Sequence, residues 1–96
     1  MKIGFFGDGP WSHKSLEILL CDNKYSVEFI CLRFNNPDNF LLEKSREFGI
    51  DLFIEKNINE ISFQKILKKY NCDLFVSMSF DQIFTKETFN IPKKGT

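Results

Sequence analysis

The sequence predicts an α/β fold: an open, mostly parallel sheet of about four strands with helices on both faces. Three observations carry that prediction. Short apolar runs alternate with segments of helical periodicity along the whole chain. Each run ends in a cluster of Gly, Asn, Asp or Pro of the kind that turns a chain. At 96 residues, with no repeat, low-complexity stretch or linker, the chain has room for one domain or part of one.

Ile3 to Phe6 reads as a buried strand entering the turn Gly7-Asp8-Gly9-Pro10. Ser12 is read as the cap of the helix that follows, with Leu16, Leu19 and Leu20 on one face. Tyr25 to Arg33, rich in Val, Phe and Ile, gives a second strand ended by Asn35-Asn36-Pro37. Asp38 or Asn39 caps a second helix, Leu41, Lys44, Ser45 and Phe48 share a face of it, and Gly49 terminates it.

Ile50 to Ile54 is a short third strand. Asn57 and Glu60 offer capping-box chemistry to a third helix whose apolar face is Phe63, Ile66, Leu67 and Tyr70. Asp73 to Phe80 is a fourth strand with the near-continuous apolar run of one covered on both faces. Thr85 caps a last helical turn, and Ile91 to Gly95 is a closing turn. The alternation implies right-handed crossovers and a parallel sheet, and 3-2-1-4 is the strand order expected. The fourth strand is expected to be an apolar, unpaired edge, which natural proteins usually cover, so a longer natural product is expected.

Thirteen basic and thirteen acidic residues cancel, and the pairs Lys68-Lys69 and Lys93-Lys94 form no patch, so no nucleic-acid partner is expected. Cys21, Cys31 and Cys72 are odd in number and widely spaced, which fits reduced core thiols rather than disulfides or a metal site. The opening apolar run is too short for a signal peptide or a membrane span, and a cytoplasmic location is expected.

Ligands of such sheets bind beyond the strands' carboxyl ends, where the order reverses between the first and fourth strands. The first loop, Gly7 to Ser12, has two glycines and a helix start that would offer N–H groups to an anion. It lacks the third glycine of a dinucleotide fingerprint and the Gly-Lys-Ser/Thr of a P-loop, and Pro10 supplies no N–H. A tight strand-to-helix turn with no ligand is the equal alternative. Trp11 either stacks on a flat ligand or plugs the helix start against the sheet, the second being preferred. His13 has no metal-ligand or triad partner in sequence and reads as a surface or capping residue. Asp81 either binds a polar ligand group or caps the next turn. Gln82, Ile83 and Phe84 combine an amide with apolar surface, as a pocket for a flat heterocycle does.

Residues 1–12, Met1-Lys2-Ile3-Gly4-Phe5-Phe6-Gly7 and the loop through Ser12, resemble the opening strand and substrate loop of the formyltetrahydrofolate-dependent formyltransferases. That family includes methionyl-tRNA formyltransferases and sugar N-formyltransferases, and its domain is Rossmann-like. The run from Asp73 to Phe84 resembles the family's fourth strand and folate-side loop. Ile91-Pro92-Lys93-Lys94-Gly95-Thr96 resembles the segment that leads into a catalytic Ile-Asn-x-His, which is not among these residues, nor is the family's later catalytic Asp.

The resemblance implies that residues 1–96 are the amino-terminal portion of a formyltransferase domain. That domain would transfer a formyl group from N10-formyltetrahydrofolate to an amine, and this portion would be inactive alone. It places Asp81, Gln82, Ile83 and Phe84 on the cofactor side, Gly9, Pro10, Trp11 and Ser12 on the amine side, and no catalytic or metal-binding residue in this chain. Asp81 and Thr85 depart from the family's common Gly and Pro. Arg33 to Asn39 lacks the basic insertion that resembles a tRNA-gripping loop, so a small amine such as a nucleotide-linked amino sugar is the expected acceptor. The alternative from another class is a non-catalytic interaction module that pairs with itself or a partner through the fourth-strand edge.

Overall fold

The computed structural model describes residues 1–96. Strands and helices alternate as β1 (Lys2–Gly7), α1 (Gly9–Cys21), β2 (Ser26–Leu32), α2 (Asn39–Phe48), β3 (Asp51–Ile54), α3 (Ile61–Lys68), β4 (Leu74–Met78) and α4 (Lys86–Phe89). The sheet has the expected order β3-β2-β1-β4, and every strand pair is parallel. Gly4 lies between Phe29 on β2 and Phe75 on β4, which fixes the register at the centre of the sheet. The architecture is Rossmann-like.

Alternation along the strands sorts the apolar side chains into two layers. On one face, Phe5, Ile30 and Leu32 meet Leu16 of α1 and Leu41 of α2. On the other, Phe6, Phe29, Cys31 and Phe75 meet Phe63 and Leu67 of α3, together with Ile58 and Cys72. The second layer is built largely of rings. Phe6 packs against Phe29, Phe75, Phe80 and Phe84 with centroids 4.9 to 5.5 Å apart, in tilted or edge-on geometries that suit aromatic quadrupoles.

Several local expectations hold in detail. Asp38 caps α2 by accepting from the Leu41 N–H, and Gly49 ends that helix in the left-handed region at φ 64°. Thr85 caps α4 by accepting from the Thr88 N–H. Others do not hold. Ser12 is no cap: α1 begins at Gly9 after Asp8, and the Ser12 hydroxyl, fully buried, donates to the Gly9 carbonyl inside the first turn. Asn57 and Glu60 form no capping box, because the Asn57 side chain instead accepts from the Asn59 N–H in a local turn.

Ile66 is partly exposed and leaves the buried stripe of α3 to Phe63 and Leu67. Cys21, expected in the core, is exposed at the end of α1. Cys31 and Cys72 are buried as free thiols, and burial pushes them up to about 12 and about 11.

The outer edge of β4 also differs from expectation. The closing segment lies along its start: Lys93 N–H donates to the Cys72 carbonyl, Lys94 N–H to that of Asp73, and Phe75 N–H to that of Gly95. These bonds stop at Phe75, and Ser77 beyond them is exposed. The edge is therefore covered over its first half and open over its second. No helix is long and apolar enough to cross a membrane.

Candidate functional site

At the carboxyl edge of the sheet the β1–α1 and β4–α4 loops meet where the order reverses, joined by a bond from Asp8 N–H to the Met78 carbonyl. Gly9 turns the chain into α1 at φ 79°, a value a side chain tolerates poorly. A Cβ at Gly7 would lie 2.8 Å from that of Ser12, so the turn closes tightly only because Gly7 has none.

The sequence-predicted amine-side residues divide. Pro10 and Trp11 face outward, and Trp11 is 72% exposed rather than packed against the sheet. Ser12 is internal, and the Gly9 N–H is already taken. It donates to Asp38 Oδ2 at 3.1 Å, across from the β2–α2 loop.

Asp38 is the hub of this side. One oxygen accepts from Leu41 N–H at 3.0 Å and the other from Gly9 N–H, so a single carboxylate caps α2 and α1 together. His13 Nε2 lies 2.8 and 2.7 Å from the two oxygens, and because a carboxylate only accepts, this nitrogen carries the proton. The imidazole stacks on Phe40 at 4.2 Å. Burial raises the Asp38 carboxyl, but hydrogen bonds from Leu41, His13 and Gly9 and the imidazole's charge outweigh it and hold the group below its ordinary range. Nearby, Arg33 Nη1 approaches Asp8 Oδ2 at 3.7 Å. His13 is thus a half-buried partner of Asp38, a pairing across 25 residues that no local motif announces.

The predicted cofactor-side residues divide as well. Gln82 is spent internally: its amide donates to the Glu55 carbonyl and its oxygen accepts from the N–H of Ile58, both at 2.8 Å. Asn59 ties the same loops by donating to the Ile83 carbonyl and accepting from Thr85 N–H. Phe84 packs into the ring layer. Asp81 is exposed, and Ile83 is 88% exposed. Ser79, at φ 55°, makes the bend that sends Phe80 down onto Phe6.

No buried side-chain nitrogen or oxygen lacks a partner, so a ligand here would meet the outward groups: Trp11, Asp81 and Ile83. These groups are one carboxylate and two apolar side chains, all exposed. The largest concavity, about 990 Å³, does not coincide with this edge. It is a shallow surface along the outside of α1 that includes Pro10 and His13. No group of three His, Cys, Asp or Glu side chains is placed to hold a metal ion.

No protein-family model matches the chain. Curated methionyl-tRNA formyltransferases do. One from Prochlorococcus marinus subsp. pastoris is 33% identical over 105 residues, covering 97% of this chain and 31% of that protein. A second Prochlorococcus marinus enzyme is 29% identical over 99% of this chain and 31% of its own length. That of Kosmotoga olearia is 24% identical over 99% of this chain and 33% of its own. This chain spans about a third of the length of these relatives. The resemblance seen in its first strand, fourth strand and closing segment therefore extends along nearly all of it, and the chain is a sequence relative of the formyltransferases.

Proposed function

We propose that residues 1–96 are the amino-terminal portion of a formyltransferase domain that moves a formyl group onto the amine of a small acceptor, such as a nucleotide-linked amino sugar. The observation that carries the reading is similarity to methionyl-tRNA formyltransferases over nearly the whole chain, on a fold that brings its two matching loops together at one sheet edge. N10-formyltetrahydrofolate would supply the formyl carbon. Asp81 and Ile83 would meet its pterin, while Gln82 and Phe84 hold their loop in place from below. Pro10 and Trp11 would face the acceptor, with Gly9 and Ser12 shaping the turn that presents them.

The groups that steady the developing oxyanion and take the amine proton belong to the Asn, His and Asp that the resemblance places outside these residues. The relatives' own name makes methionyl-tRNA their acceptor. The small acceptor is supported here by the short Arg33–Asn39 segment, whose only basic residue is Arg33.

Reading the coding frame past the Thr96 codon tests the assignment. Ile-Asn-x-His directly after Thr96 is expected, and a stop codon or unrelated sequence there would overturn it. The alternative, a non-catalytic module that pairs through the second half of β4, is favoured by the exposure of Ser77 beyond the last edge bond. It predicts a stable dimer by light scattering, and a monomer across a wide concentration range would remove it.

A further inference from the structure

We propose that Asp38 is a positioning residue that fixes the Gly9–Ser12 turn and keeps anions out of it, so that this loop takes the amine end of the acceptor and not a phosphate. The second half of the statement rests on the functional reading above; the first does not. A glycine turn opening a helix is ordinarily an anion site, because its free N–H groups and the positive end of the helix dipole point at the ligand. Here that capacity is already used. The Gly9 N–H is bound to Asp38 Oδ2, Pro10 has no N–H, and the carboxylate's charge sits against the starts of both α1 and α2.

Asp8, the residue before Gly9, adds a second carboxylate whose Arg33 partner stands at 3.7 Å. A phosphate would find the glycine N–H occupied by the Asp38 carboxylate, and the Arg33 guanidinium already beside Asp8. An amine or ammonium meets the favourable sign. The imidazole of His13, clamped between Asp38 and the Phe40 ring, holds the carboxylate in the one orientation that reaches both helices. Asp38 comes from the β2–α2 loop and His13 from α1, so the loop's shape depends on a contact that neither segment makes alone.

Asp38→Asn separates the roles, because asparagine still caps α2 through one oxygen while its amide nitrogen cannot accept from Gly9. Amide hydrogen exchange of this chain by NMR is expected to show Gly9 exchanging about tenfold faster in the variant, with the α2 amides unchanged. Titration with inorganic pyrophosphate is expected to shift the Gly9, Trp11 and Ser12 resonances in the variant and leave them still in the natural chain. Unchanged Gly9 exchange, or pyrophosphate shifts in the natural chain at those positions, would overturn the proposal.

Were Asp38→Asn not to fold, His13→Ala decides. It leaves both caps but withdraws the clamp, so faster Gly9 exchange supports the role and exchange equal to the natural chain overturns it. Failure of the full chain to formylate any amine would sink the functional reading and leave the Gly9 result standing.

Discussion

The two loops that meet at the carboxyl edge of the sheet are held by different chemistry. The β1–α1 loop is tied to the β2–α2 loop by charge: the Asp38 carboxylate, the His13 imidazole and the Arg33–Asp8 pair. The β4–α4 loop is tied to the β3–α3 loop by neutral amides, Gln82 and Asn59, over a bed of aromatic rings. The first arrangement answers to pH and salt, and the second answers mainly to packing.

The largest effect is expected from Phe6→Ala, which removes the ring on which Phe80 and Phe84 rest. A loss of about 3–5 kcal/mol in urea unfolding should follow, with faster amide exchange across residues 80–84 than at Gly9. Gln82→Ala should cost about 2 kcal/mol, because it orphans the N–H of fully buried Ile58 and the Glu55 carbonyl. The cost should be the same at low and high salt. Asp38→Ala should cost about 1–2 kcal/mol through loss of the α2 cap, and thermal melts should show a salt dependence that Gln82→Ala lacks.

Acid should separate the two sides without any mutation. The folded Asp38 carboxyl titrates below its unfolded value, so its stabilisation is fully present above about pH 4 and is lost as pH falls through the lowered folded value. Trp11, the single tryptophan, should report that loss by a change in fluorescence. Exchange at residues 82–85, whose tethers contain no carboxylate, should change little in the same range. The smallest effect is expected from Ser79→Gly, a gain of about 0.5 kcal/mol in chemical denaturation, because Ser79 occupies the left-handed region at φ 55°.

The alternation of strands and helices and the helix ends at Asp38, Gly49 and Thr85 were legible in the sequence because each follows from a local rule: periodicity, a cap, a turn. The family was legible from runs in the first strand, fourth strand and closing segment. What the residues could not disclose was which polar side chains would be used up inside. Gln82 was read as the amide of a ligand pocket until the fold set it beside main-chain groups 24 and 27 residues away. Asp38 was read as a cap for one helix, and its second helix became visible only when α1 and α2 came together. Of the two readings of Trp11 the plug was preferred, yet the helix start needs none because Gly7 lets Ser12 close against it.

Gly4 sits at the centre of β1, where a Cβ would lie 2.4 Å from the Phe29 ring and 2.8 Å from that of Phe75. The space it leaves is what lets rings from β2 and β4 close over the central strand. The three positions are therefore coupled: a side chain can enter at position 4 only if the Phe29 and Phe75 rings move aside or give way to smaller residues.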